Sequence, residues 1–157
     1  MVNLIELCQF LVKAKKSTYA AGDAAQKIVN EDKSTTLVFE DGDWKYHDNY
    51  FGGEPYGGRE MVFYKNLPVY IMVYYGWVAE SVTDFGSVYK VLQGALTLIP
   101  KDKPFRGPAE HLSGNLSYKN SFIGEVDNFS GEELIVDENN NILYKANYIG
   151  GLVDQRK

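Results

Sequence analysis

The sequence predicts an α+β fold in which two main helices pack on a mainly antiparallel sheet or half-barrel. Three observations predict it: two stretches with helical apolar periodicity, a series of aromatic and β-branched runs separated by turn signals, and a long segment that recurs in the second half.

Residues 2 to about 17 predict the first helix. Leu4, Ile5, Cys8, Leu11, Val12 and Lys15 fall on one stripe, and Lys13, Lys15 and Lys16 collect near its C-terminal end. Positive charge there complements the helix dipole, and the cluster reads as a solvated helix end. Cys8, on the stripe, reads as a small core residue. Gly22 ends the helix, and residues 18–34 fit either a short helix or a polar loop. TTLVFE and WKYHDNY then flank Asp41-Gly42, a hairpin signal, and REMVFYK and PVYIMVYYGWV flank Asn66-Leu67-Pro68. Asp84 is placed to cap a second helix. Its apolar face is Phe85, Val88, Tyr89, Leu92, Leu96 and Ile99, and Pro100 and Pro104 stop it. KDKPFRGP is a rigid loop. LSYKNSFIG and EELIVDENNNILYKANYIGGLV return to strands, with a turn at Asn139–Asn141.

Asp43–Gly76 aligns with Asn115–Gly150 when two one-residue insertions are allowed. Tyr46 meets Tyr118, Gly52 meets Gly124, Gly58 meets Gly131 and Glu60 meets Glu133. Asn66 meets Asn140, Tyr70 meets Tyr144, Tyr74 meets Tyr148 and Gly76 meets Gly150. The chain is therefore expected to be one domain, residues 1–157, built from two α-βββ units at about 2–80 and 84–153. Tyr70, Tyr74 and their counterparts are expected on a sheet face or in the core. Glu60 and Glu133 are expected to satisfy backbone donors at strand starts or to meet a ligand.

Composition narrows the function. The 157 residues carry a net charge of −5, with 45% hydrophobic and 24% charged residues. Apart from the three lysines of the first helix there is no basic cluster, so direct nucleic-acid binding is not expected. One cysteine and two separated histidines exclude an internal disulfide and a Cys/His zinc cluster. The N-terminus lacks the basic-then-apolar order of a signal peptide, and no apolar run reaches membrane length. A cytoplasmic protein with no membrane, metal or cofactor is the expectation. GGEPYGG lacks the lysine of a phosphate loop, no GxSxG elbow occurs, and DENNN lacks the Gly and Glu of an EF-hand.

Residues particular to one half are the better site candidates. Strand alternation separates His47 and Asn49 from Tyr46, Asp48 and Tyr50, leaving His47 on a solvated face. Asp48, among aromatics, needs a partner if half-buried, and Arg106 or Arg59 is the candidate. The expected ligand site comprises Asp48, Tyr50, Glu54, Tyr56, Glu60, Tyr75, Trp77 and Arg106.

FLVKAKKSTYAAG, YHDNYFGGEPYGGREMVFYKNLPVYIMVYYGWV, IPKDKPFRGP and FSGEELIVDENNNILYKANYIGGLV together resemble the DUF5680 family, over Phe10 to Val153. The resemblance implies a bacterial domain that stands alone or follows an XRE-type helix-turn-helix module. It implies no reaction, cofactor or catalytic residue. With about nine residues ahead of the domain, no such module is expected in this chain, and a regulatory role is expected to need a separate partner. Trp77 stands where a basic residue is expected in relatives, which weakens an anion site there. The expectation is a non-catalytic module that binds a small ligand or a protein partner. The alternatives are a small enzyme using the carboxylates of the Gly/Tyr-rich loop, or a homodimerisation domain.

Overall fold

The computed structural model describes residues 2–156, with Asp23 and Ala24 described by their backbone alone. Helix α1 spans Leu4–Ser17 and begins at Asn3, whose side chain accepts from the amides of Ile5 and Glu6. A 3-10 segment, Tyr19–Ala24, follows and bends at Gly22. Strands β1 (Ile28–Val29), β2 (Thr35–Asp41), β3 (Trp44–Gly52), β4 (Tyr56–Tyr64) and β5 (Leu67–Val78) come next. Helix α2 (Phe85–Leu96) is capped as expected by Asp84, which accepts from the Ser87 amide at 3.3 Å. Strands β6 (Glu110–Ser113), β7 (Leu116–Glu125), β8 (Asn128–Val136) and β9 (Ile142–Leu152) complete the chain.

All nine strands form one open antiparallel sheet in the order β1-β2-β3-β4-β5-β9-β8-β7-β6. The fold is α+β with most of the chain in the sheet. Residues 18–34, expected as helix or loop, instead supply the 3-10 segment and edge strand β1. Strand β6 is likewise additional to the expected set. Both extra strands are short edges, which carry little periodicity to read. The expected turns hold. Gly42 takes a positive φ between β2 and β3, and Asp137 Oδ1 accepts from the amides of Asn139 and Asn141.

Alternation divides the sheet into a covered and a bare face. On the covered face lie Tyr46 and Asp48 of β3, Glu60 and Val62 of β4, and Tyr70, Met72 and Tyr74 of β5, all buried. Buried on the same face from the rest of the sheet are Tyr118 of β7, Glu133 and Ile135 of β8, and Tyr144, Ala146 and Tyr148 of β9. Leu7, Phe10, Leu11 and Ala14 of α1 pack on one apolar cluster, and Val88, Val91, Leu92, Ala95 and Leu96 of α2 on a second. The α1 stripe is thus rotated from the expected one. Leu4 and Ile5 are exposed, whereas Lys15 is wholly buried and Cys8 only partly. Lys15, Leu11 and Leu7 fall four apart, Ala14 and Phe10 likewise, and Phe10 lies three after Leu7, a face as regular as the one expected.

The density of Gly and Tyr follows from the sheet. Gly58 lies opposite Tyr74, and Gly131 lies opposite Tyr148. A β-carbon on Gly58 would stand 2.6 Å from the Tyr74 hydroxyl, and one on Gly131 would stand 2.3 Å from that of Tyr148. Each tyrosine therefore lies across the strand beside it, over a residue without a side chain. Its hydroxyl then reaches the next strand: Tyr74 donates to Asp48 at 2.5 Å, and Tyr148 to Asn120 at 2.7 Å. Gly131→Ala is expected to push Tyr148 off Asn120 and destabilise the protein by ~1–3 kcal/mol in urea denaturation. A loss under ~0.5 kcal/mol would mean that the ring has room to move.

Candidate functional site

Five charged side chains are buried among the described residues: Lys15, Asp48, Glu60, Arg106 and Glu133. They gather beneath the helices on the covered face. Lys15 Nζ reaches from α1 to lie 2.8 Å from Glu60 Oε2 and donates to the Phe105 carbonyl at 2.7 Å. The Glu60 contact is one of charge; neither of its oxygens accepts an aligned hydrogen bond. Arg106, from the loop before β6, donates through Nε to Glu133 Oε1 at 2.8 Å and brings Nη2 within 2.7 Å of the same oxygen. Tyr118 donates to the other Glu133 oxygen at 2.6 Å. Both glutamates lie mid-strand, so they receive cations from outside the sheet in place of the expected backbone donors. The basic end of α1 is correspondingly split: Lys13 is exposed and pairs with Asp41 at 2.7 Å, while Lys15 serves the interior.

Asp48 is the fifth group. It is 3% exposed and stands directly opposite Glu60 on the neighbouring strand. Burial first, and Glu60 second, push its carboxyl up to about 7; the Tyr74 hydrogen bond, Arg106 and Lys15 act the other way. Its hydrogen-bond donor is Tyr74, in place of the expected Arg106 or Arg59. Strand alternation carries Arg59 to the bare face, and Arg106 acts on Asp48 only through space.

Beside Asp48 opens a cavity of about 330 Å³. Leu37, Asp48, Tyr50 and Tyr74 line it from the sheet, Tyr19 and Gly22 from the 3-10 segment, and Tyr89, Leu92, Gln93 and Leu96 from α2. Tyr56 and Arg106 close one side, and Lys27 also lines it. The Arg106 guanidinium carbon lies 5.2 Å from the Tyr19 ring centre and 5.8 Å from that of Tyr74. The Tyr19 hydroxyl is buried without a hydrogen-bond partner.

Of the eight residues expected at the site, Asp48, Tyr50, Tyr56 and Arg106 are brought together on this cavity. Glu54 sits at its edge, fastening the β3–β4 turn: it accepts from the Val78 amide at 2.6 Å and from the Tyr89 hydroxyl. Glu60 lies below, engaged with Lys15. Tyr75 and Trp77 do not join the others. They alternate with Tyr74 and Gly76 along β5, so they stand on the bare face, their rings 5.9 Å apart. His47 is also on that face, half-buried, 5.4 Å from the Phe63 ring. Sequence reasoning missed Tyr19, Tyr89 and Lys15. Tyr89 was visible only as part of an apolar helix face, and nothing in the sequence says that this face meets a cavity.

The fold and this buried charged cavity define an α+β protein with one helix-covered sheet face and a chamber between that face and its cover. The chain belongs to the family described as a domain of unknown function, DUF5680, whose model matches residues 48–153. The match thus starts at Asp48, inside β3. No curated protein and no solved structure matches the chain. Among the described residues no helix is long and apolar enough to cross a membrane.

Removing Lys15 leaves the Glu60 charge buried without its cation. Lys15→Met is expected to cost ~3–5 kcal/mol of stability, and Lys15→Met with Glu60→Gln to recover most of it. An equal loss in single and double variants would show that Lys15 acts through packing instead. Asp48 gives a pH signature. Its folded-state carboxyl lies near 7 against 3.8 when unfolded, so the folded protein keeps a proton that the unfolded chain releases. Its contribution is complete below pH 4, declines as pH rises towards 7, and is gone above, at ~1.4 kcal/mol per pH unit at most. Asp48→Asn mimics the protonated acid. Its stability relative to wild type is expected to rise between pH 4 and 7 and then stay level, by chemical denaturation across pH. A flat difference would place the Asp48 carboxyl in its ordinary range.

Proposed function

We propose that the protein binds a small molecule, without transforming it, in the cavity between β3, β5, the 3-10 segment and α2, and that occupancy is read by a protein partner. The observation that carries this reading is the cavity itself. About 330 Å³ is the size of a small metabolite site, and its wall combines tyrosine rings with one buried carboxylate. Its cover includes a 3-10 segment bent at Gly22, beside Gln93 of α2. A ligand that touches the sheet, this segment and α2 at once would change how the cover sits, which is what a sensor needs.

The reading extends to the two α-βββ units. Tyr74 and Tyr148 face each other across the central β5–β9 pair. Glu60 is opposite Asp48, and Glu133 is opposite Asn120. In the second unit Asn120 donates to the Gly107 carbonyl at 2.9 Å, and the Arg106 loop fills the space. In the first, Asp48 faces the cavity. In the proposed repeat, the aspartate in place of Asn120 is the difference that faces the cavity, which supports a ligand role for it.

A catalytic reading rests on Asp48 alone, since a carboxyl near neutrality suits general acid–base chemistry. Of the groups nearest it, Tyr74 donates to Asp48 itself, while Lys15 is committed to Glu60 and Arg106 to Glu133. The bare face, where Val73 and Ile149 stand exposed and opposite each other, is the surface a partner protein or second copy would cover.

A thermal-shift screen over metabolites tests the cavity. Binding to the native state alone at 100 times Kd adds ~2.7 kcal/mol, a rise of several degrees. Gln93→Trp, an exposed α2 position on the cavity wall, is expected to abolish the shift while leaving the unliganded melting temperature within a few degrees. A ligand whose shift survives Gln93→Trp binds elsewhere, and that outcome sinks the cavity assignment.

A further inference from the structure

The buried charges do not balance. Lys15 matches Glu60 and Arg106 matches Glu133, so Asp48 is left as a surplus carboxylate. It is also the one of the three buried carboxylates that lines the cavity. Arg106 is not open to an anion in the same way, because Nε and Nη2 are both spent on Glu133, and its guanidinium lies over the Tyr19 and Tyr74 rings. Three further tyrosines, Tyr50, Tyr56 and Tyr89, line the same space. Aromatic faces beside a desolvated carboxylate make a receptor for positive charge: the rings attract a cation through their quadrupoles, and the carboxylate accepts its N–H.

From this charge count and lining we infer that the ligand is a small organic cation, an amine or amidine, whose N–H donates to Asp48 while its apolar flank lies on Tyr50, Tyr56 and Tyr89. The inference rests on the cavity being a ligand site. Tyr19 stands on the same wall, with its hydroxyl buried and without a hydrogen-bond partner. The bound cation completes the set at three positive and three negative charges. Binding then requires Asp48 ionised, so affinity rises with pH until its carboxyl is fully charged. The groups facing Asp48 in this titration are Glu60 from β4, Tyr74 from β5, Lys15 from α1 and Arg106 from the loop before β6. Tyr19 and Lys27 stand on the same cavity wall.

The test compares matched probes on the whole protein by calorimetry and tyrosine-ring NMR: benzylamine, benzyl alcohol and benzoate, with butylamine, butanol and butyrate as a slimmer set. The amines are expected to bind at least about tenfold more tightly than their alcohols at pH 8, with the carboxylates weaker still. Amine affinity is expected to fall about tenfold per pH unit below the Asp48 titration. Asp48→Asn, which keeps the Tyr74 hydrogen-bond acceptor, is expected to lose the amine preference and its pH dependence while remaining folded. Gln93→Trp is expected to block all six probes. Alcohols binding as well as amines, or carboxylates binding better, overturn the cation and leave the cavity as a ligand site. No binding by any probe at pH 8, with wild type and Gln93→Trp alike, overturns the site together with its ligand class.

Discussion

Two glutamates in the middle of a sheet, each without solvent exposure, set the terms for everything packed above them. A buried carboxylate needs a cation, and neither Glu60 nor Glu133 finds one on its own strand. Lys15 comes from α1 and Arg106 from the loop that precedes β6. The helix and the loop are thereby fixed in depth and rotation: α1 must turn Lys15 inward, which is why its buried stripe runs through Leu7, Phe10, Leu11 and Ala14 and leaves Ile5 in solvent. Such pairs add little net stability over a well-packed apolar pair, because desolvation offsets much of the attraction. Their effect is on uniqueness. An alternative seating of α1 would strand Glu60, and one of the loop would strand Glu133, each at several kcal/mol. Phe105, whose carbonyl accepts from Lys15 and which precedes Arg106 in sequence, adds an apolar lock by stacking on Phe129 at 3.9 Å.

The tyrosines solve a related problem. A sheet with polar groups beneath a cover needs side chains that are apolar along their length and polar at the tip. Tyrosine is such a side chain, and glycine opposite it supplies the space. Tyr74 over Gly58 and Tyr148 over Gly131 carry hydroxyls across a strand to Asp48 and Asn120. Tyr56 and Tyr144 join hydroxyls across the middle of the sheet. Burial also raises the pKa of these phenols, so they remain neutral donors at any physiological pH.

Much of this was legible in the sequence. The periodicity of Val88, Leu92 and Leu96 located α2, the Asp41-Gly42 and Asn139–Asn141 turns fixed two hairpins, and alternation put Asp48 with Tyr50 and apart from His47. Legibility failed where a residue's type points one way and its tertiary partner another. Lys15 fits an apolar stripe by spacing and a solvated helix end by charge, and only the presence of Glu60 beneath it decides. Tyr75 and Trp77 were grouped with the Gly/Tyr-rich stretch by nearness in sequence, although the alternation rule that separated His47 from Asp48 also sends them to the bare face. Strand β1 has two residues and β6 four, too short to show a period at all.

The two buried glutamates face different neighbours, Asp48 in one case and Asn120 in the other. Placing Asp48 directly opposite Glu60 is costly: like charges face each other across a ladder, both out of water, with one lysine between them. Glu133 meets a cheaper neighbour, an asparagine opposite it that takes a hydroxyl from Tyr148 and gives its amide to the Gly107 carbonyl. The geometry around Asp48 is close enough to this that asparagine would keep the Tyr74 hydrogen bond and remove the repulsion. A charge kept where a neutral isostere fits, at the wall of a cavity and with its carboxyl raised towards neutrality by burial, is destabilising for the empty protein. That cost is relieved when the carboxyl takes up a proton, and in the proposed complex by the cation that binds it. In the proposed reading, stability and ligand occupancy are coupled through this one carboxyl group, and the cover of the cavity is the element that would report which state it is in.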